Sequence, residues 1–159
     1  MIQINSGGQT GVDRGALDAA LELGWAVGGW CPQGRLAEDG PIEARYGLKE
    51  LPGAGYAQRT VKNVADSPAT VILHFGPLRG GTAYTAKVAR RLSKPLLLLD
   101  AHKLDLAELV EGFYAFHLEV TAAAYNLAGP RASNQPRAHE LARQLVLGFA
   151  ARLNTEDGG

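Results

Sequence analysis

The sequence has almost no cysteine and no long hydrophobic run. Cys31 is the single cysteine among 159 residues, so an internal disulfide is excluded, and such sparse cysteine is typical of a reducing compartment. The longest apolar stretch, residues 95–99, is far too short to span a bilayer. The N-terminal residues also lack the basic and apolar regions of a signal peptide. We therefore expect a cytoplasmic protein.

An excess of charge of either sign is also absent. The 16 basic residues balance the 16 acidic residues, so no global field draws the chain to nucleic acid or to a membrane surface, and we expect neither as a partner. Any site for an anion must therefore be local. Hydrophobic residues make up 46% of the sequence, which is enough for the core of one domain over residues 1–153. Residues 154–159 are expected to form a flexible C-terminal tail.

Motifs for metal binding and covalent catalysis are missing as well. The four histidines are scattered, and none has ligand spacing to another histidine, cysteine or acid. Cys31 has neither a paired histidine nor a CxxC partner, which favours a buried or inert thiol. No Gly-x-Ser-x-Gly elbow occurs. The residues therefore indicate no metal site and no nucleophile.

What the sequence does contain is glycine, 20 residues of it, in clusters that follow apolar segments. These segments predict strands near residues 2–5, 25–30, 48–51, 69–75, 96–99 and 120–125. Helical spacing of apolar residues predicts helices near 12–23, 56–65, 82–92, 106–113 and 141–149. Strands that alternate with helices in this way predict an α/β fold: a three-layer, doubly wound, mostly parallel sheet, Rossmann-like, in a single domain.

Three polar, glycine-bearing loops follow the strands of this predicted sheet. The first loop is residues 6–11, the second is 76–82 and the third is 126–133. Open parallel sheets bind ligands beyond the carboxyl ends of their strands, where the strand order reverses. We therefore expect these three loops to share one edge of the sheet and to form a ligand site there.

The first loop reads Ser6-Gly7-Gly8-Gln9-Thr10-Gly11. Glycine lets the backbone approach a ligand closely and adopt positive φ, and backbone N–H groups at a helix N-terminus attract anions. We expect the N–H groups of this loop to converge on an anion, with hydroxyl donors from its serine and threonine. The alternative is a tight turn that needs glycine for geometry alone; two adjacent glycines and a third favour binding.

The first loop departs from two familiar nucleotide-binding patterns. A Walker loop needs Gly-Lys-Ser/Thr, whereas Gly11 is followed by Val12-Asp13-Arg14, which argues against a P-loop NTPase. The glycine spacing also differs from the dinucleotide fingerprint, which argues against a classical NAD dehydrogenase. Asp13 would repel an adjacent anion; it either faces hydroxyls or a heterocycle of the ligand, or merely favours the helix N-terminus.

The second and third loops offer further candidates for binding an anion. Gly80 and Gly81 expose backbone donors, Arg79 adds a positive charge, and Thr82 either binds or simply caps the next helix. In the third loop, Asn126 and Arg131 are candidates, and the arginine can form a bidentate contact with phosphate or carboxylate. An equally good interpretation is that Arg131 is solvated beside a Gly-Pro turn.

The long segment 31–55 shows no sustained periodicity, and loops of that length are often functional. Arg35, Glu38 and Asp39 are candidates for contacting the non-phosphate part of a ligand. Arg59, with Thr60 and Asn63, could line a polar helix face nearby. Either set could instead be solvated surface, the commoner fate of charged residues.

The pattern of motifs resembles the putative molybdenum carrier family over nearly the whole chain. The segments that carry the resemblance are Ser6-Gly7-Gly8-Gln9-Thr10-Gly11-Val12-Asp13-Arg14-Gly15-Ala16, Gly29-Trp30-Cys31-Pro32-Gln33-Gly34-Arg35, Ala37-Glu38-Asp39-Gly40, Arg59-Thr60 with Asn63-Val64, Arg79-Gly80-Gly81-Thr82 and Ala128-Gly129-Pro130-Arg131. The resemblance implies a doubly wound fold, ligand binding at the two glycine-rich loops, and homodimers or homotetramers. It also implies the molybdenum cofactor, a pterin bearing a phosphate, as the cargo.

That family resembles in turn the cytokinin-activating phosphoribohydrolases of the lysine-decarboxylase-like, SLOG superfamily. Their Pro-Gly-Gly-x-Gly-Thr-x-x-Glu motif ends in a catalytic glutamate, whereas Thr82 is followed by Ala83-Tyr84-Thr85 without an acid. The favoured hypothesis is therefore a carrier of a phosphate-bearing pterin or nucleotide without catalysis. The alternatives are a nucleotide-processing hydrolase (an N-glycosidase using Asp13, Glu38 or Asp39 as base) and a nucleotide sensor.

The sequence thus nominates a set of ligand-binding residues and assigns no catalytic residue and no metal ligand. The nominated residues are Ser6, Gly7, Gly8, Gln9, Thr10, Gly11, Asp13, Arg14, Arg35, Asp39, Arg79, Gly80, Gly81, Thr82, Asn126 and Arg131.

Overall fold

Strands and helices alternate along most of the chain in the computed structural model. It describes residues 2–157, without the side chains of residues 156 and 157. In chain order the elements are β1 (Gln3–Asn5), α1 (Val12–Leu23), β2 (Ala26–Gly28), β3 (Trp30–Pro32), β4 (Leu36–Ala37), β5 (Gly40–Pro41), a 3-10 turn (Ala44–Tyr46), β6 (Lys49–Leu51), α2 (Tyr56–Asp66), β7 (Ala69–His74), α3 (Gly80–Arg91), β8 (Leu96–Asp100), α4 (Leu106–Val120), β9 (Ala124–Ala128) and α5 (Ala138–Asp157).

Five of these strands form the central sheet, in the order β2-β1-β9-β7-β8. Every neighbouring pair is parallel. The chain winds from β1 to one edge, at β2, and from β7 to the other edge, at β8, before β9 returns between β1 and β7. The carboxyl ends of β1, β9 and β7 are therefore neighbours, and the three glycine-bearing loops meet at one edge of the sheet as predicted.

Helices cover both faces of this sheet. α1 and α4 pack on α5 in one layer, and α2 packs on α3 in the other. The core under the first layer is aromatic: Phe113 of α4 stacks on Phe149 of α5, with ring centroids 3.8 Å apart, and Tyr125 of β9 meets both rings edge-on. This arrangement confirms the predicted three-layer, Rossmann-like α/β fold. Within residues 2–157, none of the helices is both long enough and apolar enough to cross a membrane.

The predicted strand at 25–30 is instead two strands in different sheets. Gly29 separates them with φ of 121°, and a Cβ there would lie 2.2 Å from the carbonyl oxygen of Ser6, so only glycine lets the chain turn at this point. The second half, β3, pairs with β6 outside the central sheet, and β4 pairs with β5 in a short hairpin. β6 confirms the short strand predicted near 48–51.

Three other boundaries differ from the sequence prediction. α4 continues to Val120 and is capped by Thr121 in a left-handed conformation, so the predicted strand at 120–125 is displaced to 124–128. α3 begins at Gly80 with Arg79 as its N-cap, so Thr82 lies in its first turn instead of capping it. α5 continues to Asp157, so residues 154–157 of the predicted tail are helical; residues 158 and 159 lie outside the described part of the chain.

Candidate functional site

A cleft of about 1000 Å³ opens at the edge of the sheet where the three loops meet. The first turns of α2 and α3 form its opposite wall. Its volume is in the range of pockets that hold small organic ligands. The residues lining it are Gln9, Asp13, Tyr56, Ala57, Arg59, Thr60, His74, Phe75, Pro77, Leu78, Arg79, Gly80, Gly81, Thr82, Tyr84, Thr85, His102, Ala128, Gly129, Pro130, Arg131, Ser133, Asn134 and Gln135.

The second loop and the start of α3 present the cleft with an open helix N-terminus. Gly80 and Gly81 are exposed, and a Cβ added to either residue would meet no atom within 4 Å. The first N–H groups of a helix have no intrahelical partner and, with the helix dipole, attract anions. Arg79 and Thr82 line the same wall. This part of the predicted site therefore has the geometry of an anion cradle.

The first loop does not have that geometry, because the N–H groups of Gly7, Gly8, Gln9 and Thr10 already have partners within the protein. The N–H of Gly8 donates to the hydroxyl of Ser6 at 3.1 Å, and that of Thr10 donates to the Gln9 side chain at 3.0 Å. The N–H of Gln9 donates to the Asp13 carboxylate at 3.3 Å, and the N–H of Gly7 also hydrogen-bonds that carboxylate. The N–H groups of Gly7 and Gln9 thus bind the carboxylate of Asp13 in α1, where we expected the anion of a ligand.

The glycines of the first loop also serve packing more than ligand approach. Gly8 has φ of 77°, and a Cβ there would lie 2.3 Å from Cδ1 of Leu48 in the segment that follows the 3-10 turn. Gly11 has φ of 82°, and its Cβ would lie 2.3 Å from the carbonyl oxygen of Pro130. For these two residues the geometric alternative applies. Neither of them lines the cleft, nor do Ser6 and Thr10.

Gly7 differs from its neighbours because it makes room for an arginine. A Cβ at Gly7 would lie 1.7 Å from Nη1 of Arg59, so the guanidinium rests directly against the loop backbone. Arg59 comes from the first turn of α2 and lines the cleft. The sequence placed it only on a polar helix face near the site. The structure places it at the base of the cleft.

Arg59 is largely but not fully buried, and its hydrogen-bonding capacity is poorly satisfied. Its side chain is 14% exposed, and its nearest acidic atom is Oδ2 of Asp13, 3.6 Å from Nη1. Within the described part of the chain, its Nε is enclosed by protein and has no hydrogen-bond partner. A guanidinium carries five N–H donors, and leaving buried donors unpaired costs free energy. Since Nε is enclosed, the donors that an anion in the cleft can reach are the terminal N–H groups of this side chain.

Among the residues that the structure describes, Asp13 is the only acid lining the cleft. Its side chain is 7% exposed, and this burial raises the pKa of the carboxyl from 3.8 to about 6. Arg59, the N–H of Gln9 and Arg14 all lower the pKa, but desolvation outweighs them. Both sequence interpretations of Asp13 survive in part, because it accepts hydrogen bonds at the start of α1 and also borders the cleft.

Arg14, Arg35 and Asp39 were nominated as ligand-binding residues, and the structure gives them internal partners instead. Arg14 forms a bidentate pair with Asp39 at 2.6 and 3.1 Å and also donates to the carbonyl oxygen of Gly8. Arg35 donates to three carbonyl groups of the segment 31–55, those of Ile42, Glu43 and Leu48. These arginines hold that segment against the first loop, outside the cleft.

Glu38 joins the first and third loops. Its carboxylate accepts hydrogen bonds from the hydroxyl of Thr10 and from the N–H and hydroxyl of Ser133, the latter two at 3.1 and 2.6 Å. The hydrogen bonds from Ser133 and Thr10 lower the pKa of this carboxyl. Arg131 lies 3.9 Å from it and also lines the cleft. The hairpin β4–β5 therefore closes the outer side of the first loop.

Asn126 lies inside β9 and not in the third loop, because β9 extends to Ala128. It is buried, and its amide donates to the hydroxyl of Thr70 at 3.4 Å. It borders a small polar pocket of about 10 Å³ beneath Asp13 and Arg59. It was nominated as a loop residue because the sequence predicts this strand at residues 120–125 instead of 124–128.

An aromatic wall of the cleft was missed by the sequence analysis. Tyr56 begins α2, Phe75 follows β7, and Tyr84 lies one turn into α3. Two histidines, His74 and His102, also line the cleft. Tyr84 was within reach of sequence reasoning, because it follows the second glycine pair by one helical turn; Tyr56 was not, since its position depends on how α2 packs on α3.

The nominated residues that do line the cleft are Gln9, Asp13, Arg79, Gly80, Gly81, Thr82 and Arg131. Among the side chains that the structure describes, those of residues 2–155, no group of three or more His, Cys, Asp or Glu is placed to hold a metal ion. The cleft thus combines a helix N-terminus, a buried arginine, one buried acid and an aromatic wall. That combination suits a ligand with an anionic group and a planar, polar ring.

Comparisons with known proteins agree with this architecture. The sequence profile of the circularly permutated YpsA SLOG family matches residues 4–149. A crystal structure described as a Putative molybdenum carrier protein, from Syntrophus aciditrophicus SB, is 38% identical in sequence and superimposes with a TM-score of 0.91; the match covers 94% of each chain. No curated protein matches the sequence. The shared fold confirms the predicted Rossmann-like class.

Proposed function

This chain belongs to the circularly permutated YpsA SLOG family, and from that premise we propose that it binds a small phosphate-bearing ligand, a pterin or a nucleotide. The phosphate lies between Arg59 and the N-terminus of α3. We further propose that the protein is a carrier of the molybdenum cofactor, in line with the name of the structural neighbour. The ligand leaves the site chemically unchanged.

Arg59 is the observation that carries the proposal. Its side chain lines the cleft and makes no hydrogen bond to any described residue, and its ion pair with Asp13 spans 3.6 Å, so its terminal N–H groups are donors that a ligand can use. Phosphate suits this arginine because its oxygens accept in the paired geometry that a guanidinium offers. Gly80 and Gly81 supply backbone donors at a helix start on the same cleft, which adds a favourable dipole.

The aromatic wall supports a planar ring in the rest of the ligand. Tyr56, Phe75 and Tyr84 line the cleft, and aromatic faces stack on heterocycles. Pterins and nucleobases both have such rings. The molybdenum cofactor suits this cleft as cargo, because its pterin can lie against the aromatic side chains and its phosphate against Arg59 and the start of α3. The chain's only cysteine, Cys31, is buried in β3 and does not line the cleft.

A thermal-shift panel tests the proposal. Wild-type protein is heated with pterin phosphates and nucleoside monophosphates, each paired with its dephosphorylated form. Binding to the native state raises Tm, so we expect a rise with at least one phosphorylated compound and a much smaller rise with its partner. The Arg59→Gln variant should lose most of that difference. The proposal fails if no phosphorylated compound raises Tm, or if Arg59→Gln responds as wild type does.

A nucleotide-processing hydrolase is the second candidate, and Asp13 is the observation that favours it. Of the three acids considered as a base, Asp13 alone lines the cleft, and its pKa of about 6 suits a group that exchanges protons near neutral pH. Glu38 and Asp39 lie outside the cleft, and the hydrogen bonds that they accept lower the pKa values of their carboxyls. Release of free base from a nucleoside monophosphate by wild type, but not by Asp13→Asn, would establish this activity; no release excludes it.

We also propose that the chain works in the cytoplasm as a homodimer or homotetramer. The proposal rests on the resemblance to the carrier family and on the single cysteine. Light scattering coupled to size-exclusion chromatography measures the mass directly. A mass of one 16.8 kDa chain at all concentrations would contradict the assembly.

A further inference from the structure

The buried pair Asp13 and Arg59 places a carboxylate beside the guanidinium that we assign to the ligand. Oδ2 of Asp13 and Nη1 of Arg59 are 3.6 Å apart, and both residues line the large cleft and the small polar pocket beneath it. A phosphate that reaches Arg59 therefore arrives next to a resident negative charge. Two such charges in a poorly solvated site repel each other.

Few other charged groups face Asp13. On its own helix, Arg14 lowers its pKa, but this guanidinium already forms a bidentate pair with Asp39. The first loop contributes N–H groups, and the neutral residues around the small pocket come from α2, α3 and β9: Thr60, Asn63, Thr85 and Asn126. Arg59 is thus the cation that an incoming anion and Asp13 would share.

We propose that Asp13 is a specificity-determining residue. The ligand's phosphate replaces the Asp13 carboxylate as the ionic partner of Arg59, and Asp13 takes up a proton from solvent when the phosphate binds. This inference rests on the proposed phosphate site. The N–H groups of Gly7 and Gln9 hold the carboxyl in place, so it responds by changing its charge and not by leaving the pocket. Anions too weak to compete with a carboxylate for Arg59 are excluded.

The size of the effect follows from the charges around the carboxyl. Losing the attraction of an arginine and gaining a neighbouring anion both raise the pKa of a carboxyl, and the arginine alone accounts for a change of about 1–3. The carboxyl in the unliganded protein has a pKa of about 6, so with the anion bound it titrates at or above neutrality. By linkage, affinity for the anion falls as pH rises through this window. We expect roughly a sixfold weaker affinity at pH 7.5 than at pH 5.5, which corresponds to a pKa that binding raises by about one.

Sodium sulfate is a suitable probe, because it stays a dianion over this pH range and any proton taken up comes to rest on the protein. Calorimetric titrations at several pH values, in buffers of different ionisation enthalpy, give both affinity and proton uptake. Wild type should show the sixfold loss and take up roughly half a proton per sulfate near pH 6.5. Asp13→Asn should bind sulfate with nearly the same affinity at both pH values.

His74 and His102 line the same cleft and histidines titrate in the same range, so a second variant separates their contribution. The double variant His74→Gln/His102→Gln should keep the pH dependence of wild type, whatever its absolute affinity. Loss of the dependence in that variant, or its persistence in Asp13→Asn, overturns the inference. Sulfate binding without pH dependence in wild type overturns it while leaving the proposed function intact. No sulfate binding at any pH overturns both.

Discussion

Replacing Asp13 by asparagine should change how the stability of the free protein depends on pH. The carboxyl is buried, and its pKa in the folded protein is about 6 against 3.8 for the ordinary group. The folded state therefore holds a proton on Asp13 that the unfolded chain has already released between these two values. Because the folded state binds more protons there, the contribution of Asp13 to the free energy of unfolding decreases as pH rises from about 4 through 6.

The magnitude follows from the two pKa values. A pKa difference of one corresponds to about 1.4 kcal/mol, so Asp13 in its charged form destabilises the fold by about 3 kcal/mol relative to its protonated form. Other carboxyls, such as Glu38 and Asp39, have lowered pKa values and lose stability as pH falls. Both proteins share those groups, so they cancel when Asp13→Asn is compared with wild type.

Urea denaturation at pH 4, 5, 6 and 7 measures this difference. The free energy of unfolding of wild type minus that of Asp13→Asn should fall by about 2.4 kcal/mol from pH 4 to pH 7, mostly below pH 6.5, since the unfolded carboxyl is already partly ionised at pH 4. The comparison uses the slope with pH, so a constant offset from leaving Arg59 without its counter-ion does not matter. A difference that is the same at all four pH values would show that Asp13 is not buried in the way described.

Three further predictions concern glycine, cysteine and the contact between loops. Gly11→Ala should lower the free energy of unfolding by at least about 2 kcal/mol in urea denaturation, because φ is 82° and the new Cβ would meet the carbonyl oxygen of Pro130. Gly81→Ala places its Cβ in open space and should leave the free energy of unfolding within about 1 kcal/mol of wild type; equal losses in the two variants would contradict this. Burial raises the pKa of the Cys31 thiol, so a disulfide reagent at pH 7.5 should label it much faster in urea than in the native state. Glu38→Ala removes hydrogen bonds to the third loop and should speed proteolysis there; unchanged cleavage rates would exclude that role.

The sequence was sufficient for the fold because the signals involved are local or repeat along the chain. Buried strands such as β7 are continuous apolar runs, and the glycine clusters mark where strands end, so the sheet edge that carries the loops could be predicted. The strand predicted to start at Val120 was placed too early, because the residues at the end of α4 resemble those of a strand. Its end is set by Thr121, which adopts the left-handed conformation at φ of 46°.

The site was only partly predictable, because the same residue types serve packing and binding. Gly8 and Gly81 are both glycines after strands, yet one fits under Leu48 and the other faces open space. Arg35 and Arg59 are both arginines in polar segments, yet one binds three backbone carbonyls and the other lines the cleft, with its nearest acid 3.6 Å away. Only the contacts made by the segment 31–55 and by α2 separate these cases, and those contacts join residues distant in sequence.

The most direct test of the phosphate site is a crystal structure of the chain with the phosphorylated compound that raises Tm most in the thermal-shift panel. We expect the phosphate between the guanidinium of Arg59 and the N–H groups of Gly80 and Gly81, with the ring against the aromatic wall of Tyr56, Phe75 and Tyr84. A phosphate bound elsewhere, above all over Gly8 in the first loop, would contradict the proposed site.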